Sequence, residues 1–93
     1  MKKIINKIKS KKVKVAVIGL GYVGLELLLA IDKKKFKTTG FDKDLEKINL
    51  LNRNKSPIST INNSRIKKTK SNFLSNKFIN NIKWFDIIAI CLP

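Results

Sequence analysis

Glycine is scarce in this chain. It occurs only at positions 19, 21, 24 and 40, and three of the four fall within six residues as Gly19-Leu20-Gly21-Tyr22-Val23-Gly24. The segment before them, Val13–Ile18, reads VKVAVI. It is β-branched and nearly all apolar, as a strand buried on both faces of a parallel sheet is. The segment after them, Tyr22–Asp32, has no proline and is rich in leucine, so it predicts a helix. Lys33–Lys35 closes it with positive charge at the end that the helix dipole favours. A G-x-G-x-x-G pattern between a buried strand and a helix restricts the fold sharply. The first glycine permits a tight turn out of the strand. The second leaves the backbone bare for a pyrophosphate, and the third lets helix and strand pack closely. The N–H groups at the helix start, near Tyr22 and Val23, lack intrahelical partners and present a positive end to an anion.

An acidic residue belongs at the end of the next strand in such a unit. Phe36–Phe41 (FKTTGF) reads as that strand, and Asp42 ends it. A carboxylate there accepts hydrogen bonds from the ribose hydroxyls of adenosine and repels a 2′-phosphate, which favours NAD over NADP. Lys43 beside it softens the repulsion. Asp44 caps a predicted helix to about Asn52, with Leu45, Ile48 and Leu51 on one face, and Ser56-Pro57 breaks it. A short amphipathic helix within Ile61–Lys70 follows, capped by Asn62 or Asn63. Asn72–Asn76 is a weak strand, Lys77–Lys83 a short helix, and Asp86–Leu92 (DIIAICL) another buried-type strand. Alternating strands and helices predict an α/β fold with a parallel sheet and right-handed crossovers. The expected architecture is a Rossmann-type sheet of strand order 3-2-1-4, the first half of a doubly wound fold, truncated. Residues 13–93 form this partial domain, and residues 1–12 are a lysine-rich N-terminal arm.

The remaining inventory excludes much. The length of 93 residues holds one domain at most. No apolar run reaches the roughly 20 residues that span a bilayer, and no secretory leader is evident, so a cytoplasmic setting and no membrane partner are expected. There is no histidine and a single cysteine, Cys91. Disulfides within the chain, cysteine-rich zinc sites and histidine-based acid/base chemistry are therefore excluded. Cys91 lies within an apolar strand pattern without a basic neighbour in sequence, and reads as a buried, inert core residue rather than a nucleophile. No catalytic set and no metal set is found. The net charge of +15 attracts polyanions. Yet of 21 basic residues only Arg53 and Arg65 are arginine, the residue that reads bases bidentately. Trp84, a conceivable base-stacking platform, reads better as a packing residue. A small basic nucleic-acid-binding module is one alternative reading, and the NAD-binding domain of another dehydrogenase family is a second.

The segments VAVIGLGYVGLELLLA, GFDKDLEKINLLNRNKSPI and DIIAICLP resemble the opening strand-turn-helix, the second strand with its helix and Ser-Pro-Ile turn, and the fourth strand of the UDP-glucose/GDP-mannose dehydrogenase family. The resemblance covers residues 13–93 and is nearest the bacterial UDP-N-acetylhexosamine 6-dehydrogenases of polysaccharide synthesis. It implies NAD-dependent oxidation of a sugar C6 alcohol to a carboxylate in two steps, through a thioester on a catalytic cysteine. It also implies a homo-oligomeric parent enzyme that takes a UDP-sugar. Gly19, Gly21, Tyr22, Val23 and Gly24 would cradle the pyrophosphate and Asp42 the ribose. Lys47 would help hold the adenosine end, and Pro93 would begin a turn along the cofactor. Glu26 departs from the family's usual proline and could repel the pyrophosphate. The third strand lacks the family's Thr-Thr-Asp-like run, with Ser75, Asn76 and Lys77 roughly in its place. The sugar-binding domain and the catalytic-cysteine region are absent from these residues, so the chain alone is expected to be non-catalytic.

Overall fold

Each of the four apolar or β-branched segments forms a strand in the computed structural model, which describes residue 10 and residues 12–91. The elements are β1 (Lys14–Ile18), α1 (Tyr22–Lys33), β2 (Lys37–Asp42), α2 (Leu45–Asn52), α3 (Asn63–Lys68), β3 (Asn72–Ser75), a 3-10 segment (Asn76–Trp84) and β4 (Ile87–Ile90). The strands make one sheet of order β3-β2-β1-β4. All three pairings are parallel, with Ile18 opposite both Phe41 and Ile90, and Asp42 opposite Ser75. This is the order that right-handed crossovers from a central first strand require. The basic arm of residues 1–12 lies outside the described residues apart from Ser10 and Lys12, and Pro93 lies outside them too.

The core is built from the residues that the helical spacing places inward. Leu25, Leu28 and Leu29 of α1, Ile48 and Leu51 of α2, and Ile66 of α3 join Val17, Leu20, Ile61 and Phe73 in one buried cluster. Burying each such side chain contributes about 1.5–3 kcal/mol. On the other face Phe41 is fully buried, and its ring meets Phe85 edge-on at 5.8 Å between centroids. The helices start and stop where local chemistry directs. Asp44 Oδ1 accepts from Glu46 N–H and Lys47 N–H, and Asn62 Oδ1 accepts from Arg65 N–H. Asp44, not Asp42, caps α2, which leaves Asp42 free for another role. Lys35 ends α1 in the left-handed region (φ 72°) while its N–H bonds Asp32 O.

Lys77–Lys83, expected as a short helix at best, lies within the 3-10 run Asn76–Trp84, and Trp84, expected to be a packing residue, is instead 64% exposed. Asn76, Asn80, Asn81 and the β-branched isoleucines disfavour a helix interior, and the tighter turn suits a short crossover. Nor is β4 buried on both faces. Ile87, Ile88 and Ile90 are 42%, 42% and 64% exposed, and Cys91 is half-buried rather than a sealed core residue. The strand has the composition of an interior position, but it bonds to β1 on one side only and stands at the sheet edge. Ala89 and Cys91 alone turn toward the helix-side core.

Two glycines control the seam between β1 and α1. Gly19 adopts φ +95°, and a Cβ there would overlap the Cys91 carbonyl. A Cβ on Gly24 would overlap the Gly19 carbonyl oxygen, which is backbone and cannot swing away. Gly21 differs: a Cβ there meets nothing within 4 Å. Gly24→Ala is therefore expected to destabilise by more than about 3 kcal/mol, enough to leave so small a domain largely unfolded. Gly21→Ala should melt within a few degrees of the parent chain. Thermal melts of the two variants by circular dichroism check this, and equal melting temperatures would contradict the packing described.

Asp42 is the second fastening. It is 7% exposed, and it accepts from Leu20 N–H (2.8 Å), Asp44 N–H (2.9 Å) and the Lys47 ammonium (3.2 Å). Burial opposes its ionisation, but those donors outweigh it and hold the carboxyl below its ordinary pKa. A carboxyl depressed on folding gives stability that is complete above its unfolded value, near ~4, and is lost as pH falls through the folded value. Acid melts should show the melting temperature dropping below about pH 4. Asp42→Ala should be less stable at pH 7 by about 2–3 kcal/mol and flatter in that acid range. A variant with the parent's acid profile would remove Asp42 from this role.

Candidate functional site

All strands of a parallel sheet end on the same side, so whatever follows β1, β2 and β3 is brought together. A cleft of about 380 Å³ opens there. Its floor is the glycine turn. Gly19 N–H donates to Phe41 O (2.8 Å), and Cys91 N–H donates to Ile18 O (2.7 Å), which ties the turn to strands on both sides. Gly21 is the N-cap of α1, and no side chain caps the first turn. Leu25 N–H is the first to bond back, to Gly21 O (2.9 Å). The N–H groups of Tyr22, Val23 and Gly24 thus precede the helical ladder and face the cleft, the arrangement that suits an anion. Tyr22 and Val23 are 57% and 69% exposed at its mouth. The space above Gly21 is a cradle that a side chain would fill.

At the end of β2, Asp42 borders the same cleft, with Lys43 and Lys47 beside it. Lys47 comes from the first turn of α2 and forms an ion pair with Asp42. Asn76, the residue after β3, lines the cleft from the far side, and its Oδ1 is buried without a hydrogen-bond partner. These features fit a dinucleotide: a bare anion cradle at β1, a carboxylate for hydroxyls at β2, and an unsatisfied acceptor at β3. Gly19, Gly21, Tyr22, Val23, Gly24, Asp42 and Lys47, all expected from the sequence, line this one cleft. Pro93 lies outside the described residues. Glu26 does not face the turn. Its carboxylate accepts from Arg65 Nη2 of α3 at 2.6 Å, and that bond holds the carboxyl below its usual range. The proline position of the family is thus used here for a tie between α1 and α3. Sequence reasoning noted Asn76 only as a departure from a family pattern; its place in the cleft needed the β2–β3 register.

Other features do not converge in this way. A larger groove of about 650 Å³ lies at the opposite, N-terminal end of β2 and β3, lined by Asp32 and by Lys33, Lys35, Lys37, Arg65, Lys68 and Lys70. Its cations stand on exposed surface, as a solvated face has them, and no aromatic ring is interleaved for base stacking beyond the half-buried Phe36. Among the described residues no group of three or more His, Cys, Asp or Glu could hold a metal ion. None of the described helices is long and apolar enough to cross a membrane.

Comparison with known proteins agrees with the geometry. Residues 13–93 match the model of the UDP-glucose/GDP-mannose dehydrogenase family, NAD binding domain. The chain is also similar to Protein CapL of Staphylococcus aureus, at 33% identity over 79 residues, which cover 85% of this chain and 18% of that relative. The chain thus spans about a fifth of the length of the curated relative it matches. With the strand order, the glycine turn and the matched span in agreement, the chain belongs to the UDP-glucose/GDP-mannose dehydrogenase family, as its NAD-binding domain.

Proposed function

We propose that residues 13–93 are the NAD-selective cofactor domain at the N-terminal end of a nucleotide-sugar 6-dehydrogenase, with residues 1–12 a basic arm. The parent enzyme would be cytoplasmic and take a UDP-sugar. The observation that carries the reading is Asp42: a buried, ionised carboxylate held at the lip of a glycine cradle on the adjoining strand. The nicotinamide cofactor, when bound, accepts hydride from the substrate. This chain's residues bind and orient it. The first-turn N–H groups of α1 receive the pyrophosphate, and Gly21 lets it approach the backbone. Asp42 accepts from the ribose hydroxyls and repels a 2′-phosphate. Lys47, already on Asp42, supplies positive charge at the adenosine end.

Chemistry on the sugar needs more than these residues. Oxidation through a thioester requires a thiolate reachable by substrate, with acid/base groups around it. Cys91 borders the cleft beneath the glycine turn, half-buried, with its Cβ 3.2 Å from where a Gly24 Cβ would stand, and the sequence has no histidine to serve it as a base.

Titration calorimetry of the purified chain is expected to show NAD binding more tightly than NADP. Asp42→Asn, which keeps an acceptor but not the charge, should weaken NAD by about tenfold and narrow the gap. Gly21→Ala should fold as the parent does yet lose NAD at least tenfold, because its Cβ takes the pyrophosphate's place. Equal affinity of the parent chain for both cofactors would refute the assignment. The chain mixed with NAD and a UDP-sugar should produce no NADH at 340 nm. Steady production that vanished in Cys91→Ser would overturn this division of labour.

A further inference from the structure

Asn76 lines the cleft, and the reading above gives it no task. It directly follows β3, whose last residue, Ser75, stands opposite Asp42. Asn76 is therefore one position beyond the carboxylate, on the side away from the glycine turn. Its Oδ1 is buried and unpartnered. Three donors at that end of the sheet, Leu20 N–H, Asp44 N–H and the Lys47 ammonium, all go to Asp42. Buried acceptors are rarely left so, because an unmet one costs about 1–3 kcal/mol.

The strand order supplies a direction. The glycine turn, Asp42 and Asn76 follow three successive neighbours, β1, β2 and β3, with strands about 4.8 Å apart. A dinucleotide with its pyrophosphate on the turn and its ribose at Asp42 carries the rest of its adenosine over the end of β3. We propose that Asn76 is a further cofactor-binding residue, whose Oδ1 accepts a hydrogen bond from the adenosine half of NAD. This rests on the NAD-binding reading above. The terminal torsion of Asn is soft, so a modest turn brings the oxygen to the cleft. Carrying no hydrogen, that oxygen selects a donor, and the donors we assign to it are the adenine 6-amino group or the 2′-hydroxyl of the adenosine ribose.

The test compares the parent chain with Asn76→Ala, using NAD, nicotinamide hypoxanthine dinucleotide (no 6-amino group) and 2′-deoxy-NAD. Asn76→Ala should bind NAD about three- to tenfold more weakly. The loss should disappear for whichever analogue lacks the donor, which also says which donor it is. Free Asn76→Ala should melt no lower than the parent, since an unsatisfied acceptor has been removed, while the NAD-induced rise shrinks. Should the alanine variant fail to fold, Asn76→Ser reads the same comparison. An unchanged NAD affinity, or an equal loss for all three dinucleotides, would overturn the role of Asn76 and leave NAD binding standing. No NAD binding by the parent chain would overturn the underlying reading, and this inference with it.

Discussion

The contact between the Gly19 carbonyl and the bare α-carbon of Gly24 is the constraint on which the rest of the fold depends. It sets how close α1 can come to the end of β1. Only at that distance do Leu25 and Leu28 reach the core beside Val17 and Leu20. Gly19 also meets the Cys91 carbonyl and donates to Phe41 O, so the ends of β4, β1 and β2 are gathered at one residue. The cleft is a consequence of this packing. A helix brought so near the strand must begin directly above it, and its unpaired N–H groups must then face the space at the end of the sheet. The cleft and the closure of the core come from the same two glycines, whereas Gly21 borders the cleft without closing the core.

Asp42 joins the two in a different way. In the free chain it accepts from two backbone N–H groups and one ammonium, which fastens the glycine turn to the start of α2. A carboxylate has about four acceptor positions. A ribose hydroxyl can take the one left over. A second hydroxyl must displace a donor, and the Lys47 ammonium, the longest of the three contacts and on a flexible stem, is the one that can yield. The carboxylate can thus serve the ligand without loosening Leu20 or Asp44, so the turn remains organised before and after binding.

Much of this was legible in the sequence, for identifiable reasons. The glycine turn was legible because each glycine answers a separate steric demand. The strand order was legible because parallel strands joined by helices have few permitted arrangements. The division of labour between Asp42 and Asp44 followed from their offsets relative to strand end and helix start. What failed depended on layers rather than on local pattern. DIIAICL has an interior strand's composition, but composition cannot say whether a neighbour covers Ile88 and Ile90. The 3-10 run arose from asparagines that neither forbid nor favour a helix strongly. Asn76 became significant only through the pairing of Ser75 with Asp42, a long-range register that a weak four-residue strand does not announce. Which way Glu26 turns is not legible in the sequence, because its partner, Arg65, lies 39 residues away.

Charge and specificity pull in different directions in this molecule. The chain carries an excess of 15 positive charges, and a groove at the end of the sheet opposite the cleft is lined by five lysines and Arg65. Such a field attracts any anion and raises encounter rates, but it favours the more negative of two ligands. On that ground alone NADP, with its extra phosphate, would be preferred. The NAD selectivity proposed above therefore requires a short-range contribution strong enough to reverse a long-range one. A single carboxylate can supply it because it is 7% exposed and held by fixed donors, where the interaction with a 2′-phosphate is little screened by water or salt. The surrounding lysines act across solvent and are screened. On the proposed reading, the position of Asp42 at the end of β2, fixed by backbone hydrogen bonds, is what sets the cofactor against the pull of the lysines.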